Sequence, residues 1–146
     1  MVRSLALLFG LAAFAPSAAS AQDKKDDFRI PTKEWAGVIK DAKLKAVAKP
    51  GQVITDAETF EKVWKAWQPK AKSPEIDFTT QVVVVSTSEY EPLKMSLYNG
   101  PDKWKASNSN KSPKAVTGFG WIIGVFDLKG VKEINGVKLG EAAKDK

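Results

Sequence analysis

Four consecutive valines at residues 82–85 constrain the fold of this chain more than any other feature. Side chains branched at Cβ favour extended backbone, and successive side chains of a strand point to opposite faces of a sheet. The run therefore offers apolar groups to both faces, as in strands that are covered on both sides. It predicts a central strand within residues 76–88.

An amphipathic helix is predicted before this strand, over residues 56–67. Thr55 and Glu58 match a capping box, in which each side chain satisfies a backbone N–H left unpaired at the helix start, and Pro69 follows the end of the pattern. Bulky apolar side chains recur along one face at the i, i+3, i+4 and i+7 spacing of a helix, and we expect this stripe to pack on the sheet. The stripe consists of Phe60, Val63, Trp64 and Trp67.

Further strands are predicted where apolar and polar residues alternate. In the longest of them, glycines alternate with bulky residues, which calls for a bulge, a bend, or close approach by another backbone or by a ligand in a groove over Gly118 and Gly120. The pair Asn135-Gly136 predicts a type I′ hairpin that places Glu133 opposite Lys138. The predicted strands cover residues 35–39, 43–49, 93–98, 103–105 and 116–126.

Together these elements predict an α+β fold. We expect a single antiparallel or mixed sheet of about five or six strands, with one amphipathic helix packed on one face. The predicted organisation is a signal peptide over residues 1–21, a polar tether over 22–33, a single domain over 34–140 and a frayed tail over 141–146.

The first residues have the pattern of a secretory signal peptide. Arg3 gives a positive start, residues 5–14 form an apolar run too short to cross a bilayer as a helix, and residues 19–21 read Ala-Ser-Ala, which fits a cleavage site. Cleavage before Gln22 would leave a chain of single-domain size with no transmembrane segment. The predicted location is therefore periplasmic or extracellular.

The chain contains no histidine and no cysteine. Their absence excludes Ser-His-Asp triads, Cys-His pairs, zinc sites built from these residues and His-ligated haem. The formal net charge of +6 favours encounters with anionic polymers or acidic partners, although a modest excess also describes an ordinary solvated surface. We do not expect a nucleic-acid partner, because an exported chain rarely meets one.

Carboxylates offer the acid–base chemistry that remains, and four of them flank the predicted central strand. Glycoside hydrolysis needs two carboxylates that face each other across a cleft, whereas acidic residues in loops at strand ends are usually solvated. Asp102, Asn108 and Asn110 lack the ligand spacing of a calcium loop. We therefore predict a protein that is not an enzyme, with no catalytic residue, no metal site and no cofactor. The four carboxylates are Glu75, Asp77, Glu89 and Glu91.

Several short motifs occur in a fixed order along the chain: Val53-Ile54-Thr55-Asp56, Phe60, Val63-Trp64-Lys65-Ala66-Trp67, Pro74-Glu75-Ile76-Asp77-Phe78, Gly118-Phe119-Gly120-Trp121, and Val131 with Asn135-Gly136. Over nearly all of the mature chain, this order resembles a family of short exported bacterial proteins of unknown function. The helix, the Asp77-Phe78 step and the valine strand are also similar to PrcB-like domains, which are accessory to a bacterial surface protease. The resemblances imply an order of elements and a protease-associated role, and neither implies a catalytic residue.

A binding site is predicted at Lys103, Trp104 and Lys105, which lead into a Ser/Asn-rich loop at residues 107–114. Two lysines beside a tryptophan can join charge and aromatic contacts to an anionic or sugar-like partner. In the alternative interpretation, Trp104 points into the core and the lysines alternate outward.

The leading functional prediction is an exported, non-enzymatic binding or structural module of the bacterial envelope. Its partner would be an unknown envelope protein or an anionic polymer. The alternatives are a protease-associated or inhibitory accessory domain and, third, a small carbohydrate-active enzyme that uses carboxylates.

Overall fold

Two β-sheets and one α-helix form three layers in the computed structural model, which describes residues 28–91, 94–98, 103–109 and 113–140. The strands are β1 (Phe28–Arg29), β2 (Lys33–Ile39), β3 (Gln52–Ile54), β4 (Gln81–Tyr90), β5 (Lys94–Tyr98), β6 (Lys103–Ser109), β7 (Ala115–Asp127), β8 (Glu133–Ile134) and β9 (Val137–Lys138). The helix α1 spans Ala57–Trp67, and a 3₁₀ helix spans Ala42–Val47. One sheet has the order β2-β7-β4-β3 and the other the order β1-β5-β6-β8-β9.

The valine run lies in β4, inside the four-stranded sheet, and all four side chains are 0% exposed. Val83 and Val85 belong to the cluster that the helix covers, whereas Val82 and Val84 belong to the cluster between the two sheets. The predicted central strand with two buried faces is therefore confirmed.

The α+β class is confirmed, but the prediction of a single sheet is wrong. A helix covers one face of β4 only, so the opposite face needs a second layer, which is the five-stranded sheet. Three of its strands, β1, β8 and β9, are two residues long and too short to show an alternating pattern. Within it β6 and β8 run parallel, so this sheet is mixed, while the four-stranded sheet is antiparallel.

The predicted aromatic stripe of α1 is buried along its whole length, as expected. The helix start differs from the prediction, because Asp56 rather than Thr55 is the N-cap and accepts a hydrogen bond of 2.8 Å from the Thr59 backbone N–H. An Asp carboxylate is as good an N-cap as a Thr hydroxyl, so residue type alone does not distinguish the two adjacent positions. On the exposed side, Lys65 Nζ and Glu61 Oε2 form an i,i+4 ion pair of 2.8 Å.

Residues 43–49 do not form the predicted strand, because most of them belong to the 3₁₀ helix. Leu44 and Val47 are three residues apart, so one face of a 3₁₀ turn carries both toward the core. The indole N–H of Trp67 donates to the Leu44 carbonyl at 3.0 Å and ties this turn to α1. The Lys-Leu-Lys alternation correctly indicated a half-buried segment, but its apolar residues follow the three-residue period of a 3₁₀ helix and not the two-residue period of a strand.

The first strand of the described residues, β1, begins at Phe28, within the predicted tether. Arg29 holds this segment in place: its guanidinium lies 4.9 Å from the centre of the Trp104 ring, and its Nη1 donates to the Asp127 carbonyl at 3.3 Å. These contacts join Arg29 to positions 75 and 98 residues away in the sequence, so the local composition of residues 22–33 did not reveal them. The predicted signal peptide and C-terminal tail lie outside the described residues.

The glycine-rich strand and the terminal hairpin both match their predictions. Gly118 has φ of 91° and lies against the backbone of Ile39 and Lys40, so the glycine permits close approach by another backbone. Asn135 and Gly136 have φ of 49° and 82°, as a type I′ turn requires. The register places Glu133 opposite Lys138.

Candidate binding surface

Trp104 is 4% exposed and packs in the cluster between the two sheets, while Lys103 and Lys105 on either side are exposed. This is the alternative interpretation that the sequence left open. The indole is covered by Arg29, and its Nε1 finds no hydrogen-bond partner among the described residues. Trp104 therefore anchors β1 to the core and does not present its ring to solvent.

The five-stranded sheet has a solvent-exposed side on which the two flanking lysines lie. Inward residues of β5 and β6 are apolar or small except for Asn108, and outward residues are polar, as the period of two requires. We call this exposed side the basic face, since the described residues place four lysines and one glutamate on it. Its residues are Phe28, Lys94, Ser96, Tyr98, Lys103, Lys105, Ser107, Ser109, Glu133 and Lys138.

Two aromatic residues lie side by side on the basic face. Phe28 pairs with Tyr98 across β1 and β5, and Tyr98 pairs with Lys105 across β5 and β6. Directly opposite residues have Cβ atoms about 5 Å apart, so the three side chains form one continuous row. Phe28 is 56% exposed and Tyr98 41% exposed.

Sequence reasoning missed the aromatic members of this row. Tyr98 was recognisable as an outward residue of the alternating stretch 93–98, but Phe28 lay in the predicted tether. Only the pairing of β1 with β5 brings Phe28 beside Tyr98.

The predicted loop at 107–114 is partly a strand. Residues 107–109 belong to β6 and pair with β5. Asn108, an inward residue, donates from Nδ2 to Ser86 Oγ at 2.7 Å, which fastens the two sheets together at this end. Residues 110–112 lie outside the described part of the chain.

Asn135 fixes the other end of β6. Its side-chain Oδ1 accepts from the Ala106 N–H at 3.0 Å, and its Nδ2 donates to the Gly51 carbonyl at 2.7 Å. Its own backbone N–H donates to the Trp104 carbonyl at 2.9 Å. The strand that carries Lys103 and Lys105 is therefore held by Asn135 at both Trp104 and Ala106.

A separate cleft of 590 Å³ opens at the start of α1. Phe60, Ile76 and Phe78 form its apolar floor, and the charged residues Glu61, Lys72 and Glu75 lie at its rim. None of the predicted binding residues lies in it.

The four carboxylates that flank β4 do not form one site. Glu75 and Asp77 precede the strand, whereas Glu89 and Glu91 lie at its far end. A strand of ten residues is about 30 Å long at roughly 3.3 Å per residue, so carboxylates at opposite ends cannot face each other across one glycosidase cleft.

Asp77 has a structural role in the turn before β4. Its carboxylate accepts hydrogen bonds from the Thr79 hydroxyl, the Thr79 backbone N–H and the Thr80 hydroxyl. These donors favour the charged form and hold the pKa of Asp77 below its ordinary value of 3.8.

The Asp77 turn predicts a specific acid sensitivity. Because the pKa of Asp77 is lower in the folded state than in the unfolded state, its charge contributes stability above pH 3.8, and this contribution is lost as the pH falls through the folded pKa. We expect the melting temperature of the parent to fall more steeply than that of Asp77→Asn between neutral pH and strong acid. Thermal melts across that range measure the difference, and parallel profiles would contradict this assignment.

Within the described residues, no group of three or more acidic side chains is arranged to hold a metal ion, and no helix has the length and apolar character needed to cross a membrane. No family model matches the chain, and comparisons with curated proteins and with solved structures found no match either.

Proposed function

We propose that this chain is an exported, non-enzymatic binding module of the bacterial envelope, and that its basic face binds an anionic polysaccharide. The observation that carries this proposal is the exposed row Phe28–Tyr98–Lys105, with further lysines on the same side of the sheet. Phe28 and Tyr98 of this row can make the aromatic contact with a sugar that the buried Trp104 cannot make.

The two kinds of side chain in the row have complementary tasks. Aromatic rings offer flat apolar surface to the C–H groups of a sugar ring, and the Tyr98 hydroxyl adds a polar group at the edge. Lysine ammonium groups pair with carboxylate, sulfate or phosphate groups that repeat along an anionic chain. Lys105 ends the row, and Lys94 and Lys103 lie on the same side of β5 and β6, so one polymer strand can contact both kinds of group.

The composition of the basic face favours a polymer over a protein partner. Lysine is depleted from the centres of protein–protein interfaces, where aromatic residues dominate. Among the described residues of this face, lysines outnumber aromatic residues by four to two. The protease-associated role and the carbohydrate-active enzyme remain predictions from the sequence.

Binding to a sulfated polysaccharide tests the proposal. We expect dextran sulfate to bind, and we expect Tyr98→Ala and Lys105→Ala each to weaken binding at least about fivefold, since a lysine near an anionic surface contributes about 1 kcal/mol and an aromatic stacking contact about 1–3 kcal/mol. Titration calorimetry at two salt concentrations measures both effects. The Lys105→Ala variant should also show a weaker dependence on salt.

The matched control is Lys62→Ala, which removes an exposed lysine on α1, on the opposite side of the four-stranded sheet. It should leave binding unchanged. Equal loss in Lys62→Ala and Lys105→Ala would contradict the assignment of the site, because it would show that only net charge matters. Equal binding of single-stranded DNA and dextran sulfate would contradict a preference for sugars.

A further inference from the structure

Strand β2 forms an edge of the four-stranded sheet, and on its outer side no strand of the described residues pairs with it. The backbone N–H and C=O groups of such an edge can pair with another extended chain, and proteins commonly guard edges with charged residues. Charges stand only at the ends of this edge, with Lys33 and Glu34 at its start and Lys40 just beyond its end. Residues 35–39 between them carry no charge.

The sequence of this edge complements itself when a second copy runs antiparallel to it about Gly37. In that register each apolar side chain meets an apolar one on the same face of the sheet, and each charged residue lies opposite one of the other sign. The pairs are Ala36 with the partner's Val38, Trp35 with the partner's Ile39, Glu34 with the partner's Lys40, and Lys33 with the partner's Asp41.

We infer that the exported chain forms a two-fold symmetric dimer in which the two β2 strands pair antiparallel about Gly37. The two four-stranded sheets then join into one continuous sheet. Such an interface uses the same surface of both copies, as closed two-fold symmetry requires. Opposite charges at both ends favour this register, with the partner's Lys40 meeting a Glu34 carboxylate that also accepts from the Met95 backbone N–H at 2.8 Å. The apolar middle excludes water from the new backbone hydrogen bonds.

Side-chain size in the middle of the edge suits this pairing. Ala36 is exposed and Val38 is 44% exposed, so both have free surface to bury. Gly37 contributes no side chain, because the Trp121 ring occupies that space: a Cβ on Gly37 would lie 3.0 Å from it. Nothing bulky stands at the two-fold axis.

Sedimentation analysis over a wide range of protein concentration, without any ligand, tests the dimer. We expect a reversible monomer–dimer equilibrium, and we expect Val38→Lys to raise its dissociation constant at least tenfold by placing charge in the apolar middle. The control is Val137→Lys, since Val137 on β9 is equally exposed at 42%. A monomer at all concentrations, or equal weakening by both variants, would overturn the inference.

Cross-linking tests the register independently, because the chain has no cysteine of its own. Opposite residues of antiparallel strands have Cα atoms about 4.5–5.5 Å apart, within the range of a disulfide, whereas diagonal neighbours are about 7–8 Å apart. A mixture of Ala36→Cys and Val38→Cys chains should therefore form a mixed disulfide dimer on mild oxidation, and either variant alone should form much less. Equal cross-linking in all three samples would overturn the register.

A deletion variant tests whether the chain's own N-terminal segment, and not a second copy, occupies the edge. Deletion of residues 22–27 should leave the dissociation constant of the dimer unchanged. If the parent were monomeric and the deletion variant dimeric, the chain's own N-terminal segment would cover β2, and the inference would be overturned. Because these readouts need no polysaccharide, they can fail without affecting the binding proposal.

Discussion

Replacement of Trp64 by alanine is expected to destabilise the protein by about 3–5 kcal/mol, as large aromatic truncations in cores do. Trp64 is 4% exposed, packs edge-to-face on Trp35 with ring centres 5.2 Å apart, and donates from its indole N–H to the Ala71 carbonyl at 3.2 Å. The substitution leaves a cavity between α1 and the four-stranded sheet and leaves that carbonyl without its donor. Because domains have only about 5–15 kcal/mol of stability, the loss is a large fraction of the total. Urea melts monitored by circular dichroism measure it.

The neighbouring Lys65→Ala substitution provides the control for this experiment. Lys65 is on the solvent-exposed part of the same helix, with its side chain 72% exposed, and its ion pair with Glu61 is a surface pair. We expect a change within about 0.5 kcal/mol. If Trp64→Ala were as stable as Lys65→Ala, the aromatic stripe would not form the core described above.

The second large effect is expected for Gly118→Ala, with a loss of more than about 3 kcal/mol. A backbone conformation that L-residues rarely adopt costs about 1–3 kcal/mol by itself, and Gly118 has φ of 91°. The added Cβ would also overlap the Ile39 carbonyl oxygen and lie 2.7 Å from the Lys40 Cα atom. Backbone cannot move aside as a flexible side chain can, so β2 and β7 would have to separate at this end.

Gly136→Ala isolates the contribution of the clash. Gly136 also has a positive φ, 82°, but nothing lies within 4 Å of the position where its Cβ would be. We expect only the conformational cost, about 1–2 kcal/mol. Both variants add the same methyl group, and denaturant melts measure how much stability each one loses. Equal losses of stability would show that the close approach of β2 does not explain the requirement for glycine at position 118.

Features that depend on neighbours in sequence could be predicted. The valine run required a strand buried on both faces, because its side chains alternate regardless of what covers them. The stripe that contains Trp64 required one buried helix face, and Asn135-Gly136 required a tight hairpin. Each of these signals arises from backbone geometry within a few residues.

The choice between a strand and a 3₁₀ helix was harder to predict for a short segment. Lys43-Leu44-Lys45 alternates in polarity, yet the spacing of Leu44 and Val47 also fits a 3₁₀ turn, and the hydrogen bond from Trp67 to Leu44 favours the turn. That bond comes from a residue 23 positions away. Local pattern alone could not decide between the two.

The candidate site depended still more on distant contacts. The sequence by itself determined that Lys103 and Lys105 share one side of a strand and Trp104 the other, because the period of two fixes their alternation. It did not determine which side faces the core, nor that a second sheet exists. Only the tertiary structure decided that Trp104 points inward beneath Arg29 and that Phe28 lies beside Tyr98. The reason is that pairing between strands far apart in the chain depends on the burial of whole faces, which no short segment records.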